Sequence, residues 1–486
     1  MPYHPGIAHT DGDTPVTENT TSLWDTLRDD NREKAIYRQA AAYAQQYMDD
    51  VDHRPVYPTD DALAGLARFD EPLPDGPHDA QDIIRLLHEA GSPATVAQGG
   101  GRYFGFVNGG IIPAALAARW LADAWDQNGA LHVMSPVAAK LEQLCEQWLV
   151  DLFGLPEGTA AGFVNGTSTA TMCGLLAGRN ELLRRAGWDV AEQGLFGAPP
   201  LRVVMSEQSH GSVRKGLAII GMGRAQIESV PMDDQGRLRL DALPPLDDRT
   251  LIVLQAANVN SGAFEAFTEV CKRAQQAGAW VHVDGAFGLW AAASKQTRHL
   301  TAGMELADSW SVDAHKTLNA PYDCGVVLCR DRQTLVNALQ ASGSYLQFSE
   351  ERDSMLYTLD MSRRARGIEL WALLKNMGRS GVDALIVRLC DNAKLFETEL
   401  KAHGFEIPNE VVFNQVMVKC ETPELTQRTL QYIQQGGECW CGGSKWFGEP
   451  VIRISVCSWV TTTEDVRRSV AAFVDAREKA WDEVGA

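Results

Sequence analysis

From residue 201 to residue 329 short apolar, β-branched runs alternate with stretches of helical spacing, and that alternation constrains the fold more than anything else in the chain. Residues 201–205, 225–230, 251–256, 281–283, 307–312 and 326–329 read as strands, with helices from about 212 and over 264–277 between them. Strands joined through helices pair by crossover, so the sheet is mostly parallel and carries helices on both faces. In such α/β sheets ligands gather at the carboxyl ends of the strands. Two side chains fall there: Asp284 closes the run Trp280-Val-His-Val, and Lys316 follows the run 307–312.

Composition removes several alternatives. The chain has 486 residues, too many for one core, and its 45% apolar and 22% charged content is that of a soluble globular protein. A net charge of −19 argues against nucleic acid or an anionic membrane as a partner. The longest uncharged, largely apolar stretch, 104–118, is broken by Pro113 and several glycines and is too short to span a bilayer. No N-terminal stretch reads as a secretory signal. Ten cysteines are scattered, with only Cys439 and Cys441 close together and no second pair to complete a zinc site. They read as reduced, mostly buried thiols of a cytoplasmic protein with no metal.

A lysine after a strand is by itself an ordinary solvated charge. Here His315 precedes Lys316, and Asp284 arrives 32 residues earlier on its own strand. A lysine and a carboxylate delivered by separate strands suit pyridoxal 5'-phosphate: the amine forms a Schiff base with the aldehyde, and the carboxylate keeps the ring nitrogen protonated. Gly162-Phe-Val-Asn-Gly-Thr-Ser-Thr-Ala-Thr171 opens an apolar helix on Thr167 and Ser168, which reads either as an anion-binding helix start or as a plain N-cap. Ser135 and Pro136 start another helix, and Gly154 ends it.

Asp284-Gly-Ala286 and Asp313-Ala-His-Lys316 resemble the cofactor motifs of the group II pyridoxal phosphate-dependent amino-acid decarboxylases, a fold-type I family. The similarity runs from roughly residue 80 to 475. It implies a homodimer with shared active sites and three parts: an N-terminal arm with helices (1–95), a large cofactor-binding α/β domain (96–362) and a small α/β domain (363–486). Residues 1 to about 30 read as a loose arm, followed by apolar stripes at Ile36, Tyr43, Tyr47 and at Ile83, Ile84, Leu87, with Gly91 as a C-cap. By resemblance, those helices pack on the partner subunit. The activity implied is decarboxylation of an L-amino acid to its amine, with transamination or carbon–carbon cleavage as the alternative on the same cofactor.

The resemblance also assigns residues. Lys316 carries the cofactor, Asp284 pairs with the ring nitrogen, Ala286 packs beneath the ring and His210 stacks on it; Thr167 and Ser168 hold the phosphate. His315 and Asn260 flank the cofactor, and Ser362 reaches the partner's phosphate. Phe104 and Phe106 line the substrate pocket or are ordinary core aromatics; Arg453 meets the substrate α-carboxylate or forms a salt bridge within the small domain. Where relatives commonly have Asn-Pro-His-Lys, this chain has Asp313, so phosphate binding does not carry over to that position. The segment 344–364 keeps the flanks Tyr345-Leu346 and Ser362-Arg-Arg364 but is shorter than in the aromatic amino acid decarboxylases. Its interior tyrosine, Tyr357, is the candidate acid that protonates Cα, or else an anchor for the loop.

Overall fold

The structure is a computed structural model that describes residues 18–340 and 351–484. It forms two compact units, Met1–Val96 and Ala97–Ala486. The first contains helices α1 (Glu18–Glu33), α2 (Ala35–Asp50), α3 (Asp60–Ala64) and α4 (Ala80–Leu86). Helix therefore begins at Glu18, inside the stretch expected to be a loose arm; its sparse apolar edge, Trp24 and Leu27, is masked in the sequence by surrounding Thr and Asp. Asp79 caps α4, accepting from the amides of Gln81 (2.9 Å) and Asp82 (3.1 Å). Gly91 is not a C-cap: its φ of −83° is right-handed, and the chain continues through a π turn, Leu87–Gly91, into the 3₁₀ turn Ser92–Ala94. The Arg54 guanidinium holds that turn by donating to the carbonyls of Ser92, Pro93 and Thr95.

In the second unit, α5 (Pro113–Trp125) and α6 (Pro136–Phe153) precede β1 (Ala160–Val164) and α7 (Thr167–Arg185). Then come α8 (Val190–Gln193), β2 (Arg202–Ser206), α9 (Gly211–Ile219), β3 (Ile227–Val230), β4 (Thr250–Gln255), α10 (Phe267–Ala277), β5 (Trp280–Asp284), β6 (Ser309–Asp313), β7 (Gly325–Cys329) and α11 (Arg332–Leu339). The seven strands lie in the order β1-β7-β6-β5-β4-β2-β3, and β7 alone runs against its neighbours. Strands β1 and β4 to β7 are buried throughout, as a sheet covered on both faces requires. Gly325 is where β7 crosses the start of α7 most closely: a Cβ there would lie 2.5 Å from the Cα of Gly166.

The long α12 (Gly367–Ala402), α13 (Pro423–Gly436) and α14 (Thr463–Val484) accompany a three-stranded antiparallel sheet, β8 (Gln415–Val418), β9 (Gly442–Trp446) and β10 (Glu449–Ser455), in the order β8-β10-β9. The backbone of Phe104 joins this sheet, its amide donating to Trp440 and its carbonyl accepting from Ser455. All ten cysteines are buried free thiols.

Helix α6 starts and stops as its sequence dictates: Ser135 Oγ accepts from the Ala138 amide, Pro136 follows, and Gly154 closes it at φ 66°. Its buried face is less ordinary, because Glu142 and Glu146 lie on it. Arg363 meets Glu142 through two hydrogen bonds of 2.7 and 2.9 Å, while Arg352 and Arg332 meet Glu146. Burial pushes the Glu142 carboxyl up, but Arg363 and Arg352 outweigh it and hold the group below its ordinary value.

Tyr357 belongs to this cluster and does not line the ligand cavity of its own chain, an arrangement that fits the loop anchor better than the Cα acid. It sits in the 3₁₀ turn Ser354–Tyr357, is buried against β1 and α7, accepts from Arg332 at 3.0 Å and lies under the Arg352 guanidinium at 4.5 Å. Its phenol is engaged by two guanidiniums, and its backbone carbonyl lies so close to Gly162 that a Cβ there would clash with it. Tyr345 and Leu346 lie outside the described residues. Tyr357→Phe should lower unfolding free energy by about 1 kcal/mol, the net worth of one hydrogen bond. Its amine yield should match wild type, checked by denaturant unfolding and by quantifying product.

Candidate active site

The carboxyl ends of β2, β4, β5 and β6 and the start of α7 surround one cavity of about 500 Å³. Asp284 ends β5, Gln255 ends β4, His210 caps α9 just after β2, and Lys316 lies three residues beyond β6; all four line it. Thr167 and Ser168 occupy the first turn of α7 and face the same space, with Ala286, His315, Asn260, Phe106 and Arg453. The structure thus brings together most of the residues singled out from the sequence.

Three do not join them. Phe104 is only 1% exposed and packs edge-on against Phe396 at 5.0 Å, because its backbone pairing with the small sheet turns the ring into that sheet's core. Phe106, two residues on, is 60% exposed, lines the cavity and lies against Trp440. Ser362 is exposed and off the cavity of its own chain, and Tyr357 is buried in the core as described.

The cavity has two chemically opposite ends. At one, Thr167 Oγ1 is buried with no hydrogen-bond partner among the described residues, at the amide-rich start of a 19-residue helix, a setting that favours an anion. At the other, Asp284 is buried with the Ala286 amide donating to Oδ1 at 3.2 Å. Burial pushes the Asp284 carboxyl up, with His210 and Lys316 pulling it back, and among the described residues no cation lies within ion-pair distance of it. The His210 imidazole is pushed down by burial, with Asp284 opposing. Its Nδ1 accepts from the Ser212 amide at 3.3 Å, so its proton is assigned to Nε2.

Lys316 Nζ lies 3.3 Å from Asp313 Oδ2. The His315 ring lies against Tyr322, centroids 4.1 Å apart and tilted by 30°, and its Nδ1 accepts from the Cys324 amide. Ser444 Oγ donates to Asn260 Oδ1 at 2.8 Å, so β9 braces one wall. Arg453 forms no ion pair among the described residues, and its Nε is buried without a partner. The salt bridge weighed for it within the small domain has no partner there.

Three lining residues escaped the sequence reading: Gln255, Tyr322 and Ser444. Gln255 could have been found as the terminal residue of an apolar strand, like Asp284. Ser444 could not, because β9 reads Gly-Gly-Ser-Lys-Trp and shows no apolar alternation.

A phosphate would meet the orphaned Thr167 hydroxyl and helix amides, a pyridinium nitrogen the buried Asp284, and an aldehyde the Lys316 amine. These residues fit pyridoxal phosphate. The model for the pyridoxal-dependent decarboxylase conserved domain matches residues 65–421. The aromatic-L-amino-acid decarboxylase of Rattus norvegicus is 26% identical over 477 residues, covering 91% of this chain and 98% of that protein. The cysteine sulfinic acid decarboxylase of Mus musculus is 27% identical over 365 residues, 69% of this chain and 72% of that one. The solved structure of Oryza sativa TDC with PLP and tryptamine superposes with a TM-score of 0.85 at 23% identity, over 93% of this chain and 98% of that one, a likeness that speaks for the fold. The chain belongs to the pyridoxal-dependent decarboxylase family and is a pyridoxal phosphate-dependent amino-acid carboxy-lyase.

Proposed function

We propose that this decarboxylase converts an L-amino acid with an uncharged, aromatic-sized side chain to its amine and CO2, with the cofactor held covalently on Lys316. The observation that carries the reading is the convergence of Lys316, Asp284 and the start of α7 on one cavity. When bound, pyridoxal phosphate supplies an electron sink for the pair released as CO2 departs. Asp284 holds a proton at the ring nitrogen, its buried carboxylate gaining the cation it lacks. His210 lines the cavity and presents Nε2–H to it, so it would cover a bound ring and is suited to deliver a proton to Cα.

Arg453 is suited to the substrate carboxylate. Its guanidinium is pushed down by burial and has an unpartnered Nε, so an incoming anion would relieve a real cost. With Arg453 so engaged, no further unpaired guanidinium lines the cavity among the described residues to receive an acidic side chain. Phe106 and Tyr322 are both substantially exposed into it. That combination favours an aromatic over an acidic side chain.

The function is tested by borohydride reduction and by a substrate panel. Reduction should fix the cofactor to the peptide containing Lys316, and aromatic amino acids should yield CO2 and amine one for one. An adduct on another lysine, or keto acid in place of amine, would contradict the reading.

We also infer two chains per functional unit. On the second unit Trp120, Leu121 and Trp125 of α5 and the following Val133 and Met134 are all exposed, and a patch of that kind marks an interface. Ile83 and Leu87 of the first unit are exposed likewise. In such a dimer Ser362 is offered to the partner's site, and the ten buried free thiols suit a cytoplasmic protein. Sedimentation should give a dimer, which Leu121→Glu with Trp125→Glu should dissociate; a wild-type monomer with full activity would contradict this.

A further inference from the structure

Asp313 ends β6, is 3% exposed, and directs both carboxylate oxygens at the machinery just described. Oδ1 accepts from the backbone amide of Thr167 at 2.6 Å. Helix α7 has no cap from its own N-cap residue, Gly166, so Asp313 supplies that cap from across the sheet. Oδ2 lies 3.3 Å from Lys316 Nζ and 3.6 Å from His315 Nε2. One carboxylate therefore ties together the helix start suited to the cofactor phosphate and the amine suited to its aldehyde.

That arrangement sets up a conflict. The Thr167 amide is among the donors a phosphate would seek, and Thr167 Oγ1, buried and unpartnered, marks where an anion belongs. Asp313 holds the amide with a negative charge of its own, and like charges a few ångströms apart in a partly desolvated pocket repel strongly. Its compensating cation, Lys316, is also the residue that would hold the cofactor aldehyde, so this amine would no longer be free to pair with Asp313 alone. The His315 imidazole is then the remaining candidate partner on this element.

We propose that Asp313 is a positioning residue that stands in for the phosphate while the site is free, anchoring α7 and Lys316 together, and that it holds down the contribution of the phosphate group to cofactor affinity. The enzyme then takes up and releases its cofactor more readily than it would with a neutral side chain at this position. The inference rests on the cofactor placement proposed above. It requires no change in the chemistry of the reaction.

The test compares pyridoxal phosphate with pyridoxal, which has the aldehyde and ring but no phosphate. Apoenzyme is titrated with each, followed by absorbance of the bound chromophore, and the ratio of the two affinities isolates what the phosphate contributes. Asp313→Asn keeps an acceptor for the Thr167 amide and removes the charge. It should raise that ratio by about tenfold or more, the scale expected from deleting one like charge a few ångströms away. Asp313→Ser, which also leaves an oxygen and no charge, should move the ratio the same way. A residue that merely capped α7 would weaken both ligands alike and leave the ratio unmoved. If both variants keep the wild-type ratio, or lower it, with the borohydride adduct still on Lys316, the proposal on Asp313 is overturned alone. If the adduct forms on a different lysine, the cofactor placement falls and this proposal falls with it.

Discussion

The parallel pairing of β5 with β6 is the interaction on which the site depends. Its register sets His282 beside Ser309 and Asp284 beside Ser311, so the acid and the approach to Lys316 leave the sheet at one edge. Beyond the last paired residues the two loops stay fastened: the Gly285 amide donates to Ser311, the Asp313 amide to Ala286, and the Thr317 hydroxyl to the Phe287 carbonyl. His282 reinforces the pairing from within. Its two ring nitrogens lie 2.8 Å from Ser309 Oγ and 3.3 Å from Ser311 Oγ, and burial pushes its pKa down to about 3, so it bridges the strands as a neutral ring. A one-residue slip here would send Asp284 to the opposite face of the sheet.

Around that centre the chain places charge where a hydrocarbon core would serve stability as well. Glu142, Glu146, Arg352 and Arg363 are buried or nearly so and paired among themselves. A buried ion pair adds little over a well-packed apolar replacement, yet losing one member costs several kcal/mol. What the cluster adds is a defined position for the backbone of 352–363 against α6 and β1. Tyr357 is held in the same cluster by its hydroxyl and by its ring.

Much of this was legible in the sequence, for identifiable reasons. Alternating strands and helices specify a parallel sheet, and a parallel sheet specifies where ligands gather; Asp284 and Lys316 follow from strand ends, while His210 and Thr167 were singled out through the family resemblance. The helix α6 was legible at both termini because its caps are local. What was not legible depended on partners far away in sequence. Phe104 and Phe106 differ by two residues, and only pairing of the Phe104 backbone with Trp440 and Ser455 decides which ring meets the cavity. Tyr357 looked free because nothing nearby in sequence shows the guanidiniums of Arg332 and Arg352 closing on it. Asp313 showed as a departure from the common motif, but its contact with Thr167 spans 146 residues.

The central claim is that a strand-end carboxylate, Asp284, fixes the protonation of the cofactor ring. It is measured most directly by ¹⁵N NMR of enzyme loaded with pyridoxal phosphate labelled at the ring nitrogen. The account predicts a protonated nitrogen in wild type throughout the neutral pH range and an unprotonated one in Asp284→Asn, with decarboxylation falling by orders of magnitude in that variant. The same protonation state in both proteins would contradict it.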